Sequence, residues 1–94
     1  MHRTVRQEIV TLLEARERTP RQLADLLGMR ERELSDHLPH VARTLRAGGR
    51  RLAVRPAECL ACGHVFRDRR RLTAPSRCPR CKSLRIDPPA YRVE

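Results

Sequence analysis

The sequence predicts an α+β protein in which three helices precede a small antiparallel β unit organised by a metal. Three observations carry this. Apolar residues recur at helical spacing as far as Ala47. Residues 50–55 then switch to strand-like alternation. All four cysteines fall in two Cys-x-x-Cys pairs, Cys59/Cys62 and Cys78/Cys81, fifteen residues apart.

In the first helix Val5, Ile9, Leu12 and Leu13 share one face over residues 3–17. Thr19-Pro20-Arg21-Gln22 starts the second. Thr19 is placed to cap, Pro20 suits the first helical position, and Gln22 can return a bond to the cap. Leu23, Ala24, Leu26 and Leu27 follow, and Gly28 offers a left-handed stop. The third helix is expected from about Arg30 to Ala47, ended by Gly48-Gly49, with Leu34, Leu38, Val41 and Leu45 in one stripe. Pro39 lies inside it, where a proline costs ~3 kcal/mol in an ordinary helix. The stripe keeps its phase across Pro39, which predicts one kinked helix rather than two.

A very short middle helix, the Gly28-Met29 turn and a basic strand at once after the third helix together read as a winged helix-turn-helix over residues 1–56. In the strand, Leu52 and Val54 should face one way and Arg51, Ala53 and Arg55 the other. A plain three-helix bundle is the simpler alternative.

Residues 57–94 read as a zinc ribbon. A two-residue gap lets one tight turn aim two sulfurs at one point, and two such turns make a tetrahedral S₄ cage for one structural Zn²⁺. Soft thiolates favour zinc or iron over magnesium or calcium. Two disulfides, or a redox Cys-x-x-Cys, are weaker readings, because nothing suggests export and a second matching pair leaves neither to act alone. Gly63 follows Cys62, where positive φ turns amides toward sulfur, whereas Lys82 occupies the matching place after Cys81 and predicts a different turn. Short strands are expected at residues 64–67, 72–73, 84–86 and 91–93, closing one sheet. Leu60, Phe66, Leu84 and Tyr91 are expected among its few apolar side chains, with Phe66 and Tyr91 in its core. So thin a core needs a staple, so metal binding should be folding free energy for this half.

The net charge is +10, and it is unevenly placed. Residues 1–49 carry nine basic against seven acidic side chains, residues 50–94 twelve against four. Twenty of the twenty-one basic residues are arginine, a pattern that coding bias can produce. Bias does not explain why the charge collects in one half, and double-stranded DNA is the partner class it fits best. With Leu34 set inward, Arg32, Asp36, Pro39 and Arg43 point outward, flanked by Ser35 and Arg46. Arg32, Ser35 and Asp36 become base-edge candidates in a major groove, and Arg43 and Arg46 phosphate contacts. Arg50, Arg51, Arg55, Arg67, Arg69, Arg70 and Arg71 form the expected phosphate patch on wing and ribbon. One Phe and one Tyr are too few aromatics for a single-strand stacking surface.

His2, His37 and His40 have no ligand spacing, and His64 is redundant to a complete S₄ shell. No serine lies near a histidine–carboxylate pair, and no Gly-rich phosphate loop or open metal site is evident, so an enzyme is not expected. No export signal and no membrane-length apolar run is present, which predicts a cytoplasmic protein away from membranes.

The chain resembles a family of small predicted transcriptional regulators that fuse an N-terminal winged helix-turn-helix to a C-terminal zinc ribbon. The residues that carry the resemblance are Arg51-Leu52 through Pro56-Ala57-Glu58-Cys59, Cys62-Gly63, Val65-Phe66, Pro75-Ser76-Arg77-Cys78-Pro79-Arg80-Cys81 and Ile86-Asp87-Pro88-Pro89. The resemblance implies DNA binding and a structural zinc, and no particular gene or effector. Pro39 departs from it. A homodimer is compatible, since winged helices often bind DNA in pairs. The competing reading is a ribbon that docks on transcription or translation machinery.

Overall fold

A computed structural model describes residues 3–67, 72 and 74–94. Three helices come first: α1 (Val5–Ala15), α2 (Pro20–Leu27) and α3 (Glu31–Ala47). Four short strands follow: β1 (Leu52–Arg55), β2 (Glu58–Cys59), β3 (Ile86–Asp87) and β4 (Ala90–Val93).

Helices α1 and α2 open on the same device. Thr4 Oγ1 accepts from the Gln7 amide and Gln7 Oε1 from the Thr4 amide, and Thr19 and Gln22 repeat the pair of bonds. Each box contributes about 1 kcal/mol. Gly28 ends α2 at φ 65°, and the Met29 amide reaches back to the Ala24 carbonyl. Helix α3 continues through Pro39 as one element of 17 residues, with Pro39 exposed. Gly49 supplies the left-handed residue after it, at φ 77°.

The core joins Ile9 and Leu13 of α1, Leu23 and Ala24 of α2, Leu34, Leu38, Val41 and Leu45 of α3, and Tyr91 of β4. Tyr91 is fully buried there, and its hydroxyl donates to the Leu72 carbonyl. The sequence placed Tyr91 in the ribbon core, and the structure corrects this. Strand β4 pairs antiparallel with β1 in the register Leu52↔Val93, Ala53↔Arg92, Val54↔Tyr91, Arg55↔Ala90. On its other side Tyr91 exchanges two backbone hydrogen bonds with Arg18, in the connection between α1 and α2. The chain enters the ribbon from β1 and returns by β4, so the ribbon is inserted within the two-stranded sheet of the helical unit.

The ribbon has its own two-stranded sheet, with β2 paired to β3 as Glu58↔Asp87 and Cys59↔Ile86. The single closing sheet expected from residues 84–93 is therefore two sheets. Residues 64–67 contribute one bridge, Val65 to Glu58, rather than a strand. Leu72 is not in a strand, and Thr73 lies outside the described residues. Buried Ala57, Cys59, Phe66 and Cys78, with Ile86 against them, form the ribbon cluster. The alternation expected in β1 is also absent. Leu52 packs on the helical core but Val54 is 44% exposed, because β4 alone flanks the strand and the helices cover only its first part.

Candidate metal centre and nucleic-acid interface

The two cysteine turns are built alike. The Gly63 amide donates to the Cys59 carbonyl and the Lys82 amide to the Cys78 carbonyl, both at 2.9 Å. The Cys59 amide donates to the His64 carbonyl at 2.8 Å and the Cys78 amide to the Ser83 carbonyl at 2.9 Å. Gly63 has φ 79° and Lys82 φ 65°. The different second turn expected from Lys82 does not occur, because closing these bonds demands the left-handed backbone whatever the side chain. For lysine that costs ~1 kcal/mol or more.

Both turns bury their first cysteine and expose their second. The four sulfurs lie within 4.8 Å of one another, with Cys59–Cys81 and Cys62–Cys78 each at 3.6 Å. A tetrahedron with Zn–S bonds of about 2.3 Å places its sulfurs about 3.8 Å apart. The donor set and its spacing thus fit one structural zinc held by Cys59, Cys62, Cys78 and Cys81.

Without metal the thiols are unequal. At Cys78 burial acts most strongly and upward, but the amides of Cys81 and Arg80 and the neighbouring thiols bring it down to about 7. Cys59 is also lowered, burial again being outweighed by the amides of Cys62 and Ala61. At Cys62 the His64 amide acts to lower the thiol, yet burial and the other three cysteines push it up to about 12. His64 takes no part as a ligand: its ring packs edge-on against Phe66 with centroids 4.9 Å apart.

Two family models match the chain, the PF0610-like N-terminal model over residues 4–53 and the PF0610 rubredoxin-like zinc beta-ribbon domain over residues 56–94. The chain belongs to the PF0610-like family. Its structure is similar to the solution NMR structure of protein PF0610 from Pyrococcus furiosus, with a TM-score of 0.82 and 32% sequence identity. That likeness covers 100% of this chain and 94% of PF0610. No curated protein matches. The three helices, small antiparallel sheet and four-cysteine zinc ribbon are thus the architecture of this PF0610-like chain. No helix among the described residues is long and apolar enough to cross a membrane.

The structure divides the residues singled out for nucleic acid. Arg32, Asp36, Arg43 and Arg46 are exposed on α3, together with Pro39. Arg43 Nη2 lies 3.1 Å from His40 Nδ1. The His40 imidazole is lowered, first by the Arg6 charge and then by burial and Arg43. His37 is half-buried and accepts from Arg6 Nε at 3.4 Å. Ser35 is only 6% exposed, so it is not a base-edge residue in this arrangement. Helices α1 and α2 both cover α3, so the buried arc is wider than the leucine stripe and takes in Ser35 next to Leu34.

The wing arginines are already paired. Arg50 meets Glu14 at 2.8 Å, Arg51 meets Glu94 at 2.7 Å, and Arg55 meets Glu17 at 3.2 Å and Asp87 at 3.8 Å. Arg92 meets Glu94 at 2.6 Å, and Arg92 first, then Arg51, holds the Glu94 carboxyl below its usual range. Four cations thus face four carboxylates, and this surface is close to neutral. Counting charges by segment missed this because Glu14 and Glu17 come from the first helical segment, distant in sequence. Arg67 is exposed with no ion pair among the described residues, whereas Arg69, Arg70 and Arg71 lie outside them. Sequence reasoning also passed over Arg77, Arg80, Lys82 and Arg85, exposed around the second cysteine turn.

Proposed function

We propose that this PF0610-like chain is a DNA-binding transcriptional regulator rather than an enzyme, acting in the cytoplasm. The observation that carries the reading is the outward face of α3. Arg32, Arg43 and Arg46 are exposed there, on a helix braced by two others and followed by a strand pair. The end of α3 to approach DNA is its C-terminal half, where Arg43 and Arg46 stand without nearby acids in sequence. Its first turns carry Glu31, Glu33 and Asp36 against Arg32, which opposes phosphate. Asp36 fits a groove only by accepting from a cytosine amino group. The paired wing arginines can turn to phosphates, since exposed ion pairs are worth only about 0–1 kcal/mol.

The test is selection of duplexes from a random pool by the zinc-loaded chain, followed by salt titration of the selected sequence. Affinity should fall steeply with salt, and Arg43→Glu with Arg46→Glu should lower it about tenfold or more. Duplex affinity absent at low salt, or indifferent to both substitutions, would refute the reading.

A second reading, a ribbon that binds a protein partner such as transcription machinery, is favoured by one observation. Leu60 and Leu84 are 60% and 71% exposed at the metal end of the ribbon.

A further inference from the structure

Four large apolar side chains are exposed among the described residues: Leu26, Val54, Leu60 and Leu84. Two of them, Leu60 and Leu84, lie on neighbouring stretches of backbone. Leu60 follows Cys59 on the first cysteine turn, and its amide donates to the Arg85 carbonyl at 2.8 Å, bringing it beside the Leu84-Arg85 segment. Neither leucine belongs to the ribbon cluster. Each leaves most of its surface to water, at 60% and 71% exposure.

Their surroundings have one sign. Arg77, Arg80, Lys82 and Arg85 are exposed around the second turn, and none has an ion pair among the described residues. The sequence contains no acid from Arg69 to Ile86. Zinc with four thiolates carries about −2, which leaves these four cations in excess. The wing surface, with cation matched to carboxylate, is the opposite case. The turn is also rigid: backbone bonds join Cys78 to Ser83 and Lys82, the Arg80 amide lies 3.4 Å from Cys78 Sγ, and the Arg85 amide donates to Ser83 Oγ at 3.1 Å. A surface fixed before binding loses little entropy on binding.

We propose that the tips of the two cysteine turns form a docking site for an acidic polypeptide segment with apolar side chains. Apolar groups of the partner would cover Leu60 and Leu84, and its carboxylates would meet Arg80, Lys82 and Arg85, an apolar centre with a charged rim. Duplex DNA matches this face less well. It would satisfy the cations but strand the leucines, and the His64 ring is packed edge-on against Phe66. The proposal rests on the second reading above and does not depend on the α3 face.

The experiment selects peptides of about a dozen residues from a random displayed library with the zinc-loaded full chain, then titrates a synthesised winner against its amide NMR spectrum. Expected are winners rich in Asp or Glu with apolar residues between them, and shifts confined to Leu60, Cys62 and residues 80–85. The Leu60→Ser, Leu84→Ser double variant should bind the winner at least about tenfold more weakly. Its undiminished zinc retention against a chelator shows the ribbon intact. Binding nowhere on the ribbon would overturn the second reading and this proposal with it. Binding elsewhere on the ribbon, winners without acidic and apolar character, or affinity unchanged in the double variant would overturn the proposal alone. A random-sequence duplex that shifts the same amides more strongly than any peptide would reassign the face to nucleic acid.

Discussion

Nine side chains drawn from all three helices and β4 close the larger cluster, whereas the ribbon cluster among the described residues holds four, two of them metal ligands. The first is an ordinary apolar core, with Ile9, Leu13, Leu23, Leu34 and Leu38 fully buried. The second is too small to fold on burial alone, so the zinc supplies what the side chains do not. One chain thus contains two solutions to the same problem, joined by two paired strands, β1 leaving the first unit and β4 coming back to it.

Removing the metal should break this comparison most visibly. Structural zinc contributes an apparent ~10–16 kcal/mol in small modules. Chelation, or Cys78→Ser, should therefore erase dispersed amide signals of the ribbon while most far-UV helical signal survives. Loss of helix to the same degree would show that the insert governs both units. Tyr91→Ala should produce the converse. A buried aromatic truncated to alanine costs about 3–5 kcal/mol, here charged to the helices, so thermal unfolding of the helical signal should fall sharply. The cobalt–thiolate absorption of the substituted metal site should stay, because Tyr91 packs away from the cysteines. Phe66→Ala should exchange the two outcomes.

Acid should separate the halves more gently. The lowered Cys78 thiol favours its ionised form in the fold, so its contribution is present above the ordinary thiol pKa and is lost as pH falls through about 7. Protons then compete with zinc, and affinity measured against a chromophoric chelator should drop by about tenfold or more per pH unit below 7. In the helical unit the exposed His40, lowered chiefly by the Arg6 charge, is the group that titrates in this range, so the helices should lose only a little stability as pH falls through the imidazole range. Smallest are the two turn residues. Gly63→Ala should cost the ribbon about 1 kcal/mol, wholly from backbone, since nothing lies within 4 Å of the added carbon. Lys82→Gly should gain or lose less than about 0.5 kcal/mol, because relief of strain is offset by a freer unfolded chain. Thermal melts of the zinc-loaded variants measure both.

What could be read from the sequence follows the range of the signals. Thr19-Pro20-Arg21-Gln22, the Leu34 stripe and the cysteine spacing each act within a few residues, and each has its expected counterpart in the structure. The same reasoning applied to Thr4 and Gln7 would have found the first capping box, which repeats the Thr-x-x-Gln pattern. The partner of β1 was not legible. It lies beyond the whole ribbon, and four residues of alternating character carry no address for a strand so distant. Tyr91 followed the strand, and so was given to the wrong core. Ser35 was misplaced because periodicity gives a direction but not the width of the covered arc, which depends on how many helices pack there. The wing arginines were recognisable as charges, but their carboxylate partners come from the α1 end, from β3 and from the residue after β4, which only the fold brings together. Lys82 shows a related limit: residue type suggested one turn, and the closing hydrogen bonds imposed another.

The insertion also sets an order of events during synthesis. The helices leave the ribosome with the place of Tyr91 still empty, and the strand that fills it lies 35 residues beyond Arg55. At ~5–20 residues per second that interval is roughly 2–7 s. Through it the nascent helices expose the apolar seam that β4 will cover, while the cysteines emerge in turn. A metal bond between the two cysteine turns shortens the loop that separates β1 from β4, and so lowers the entropy cost of pairing these distant strands.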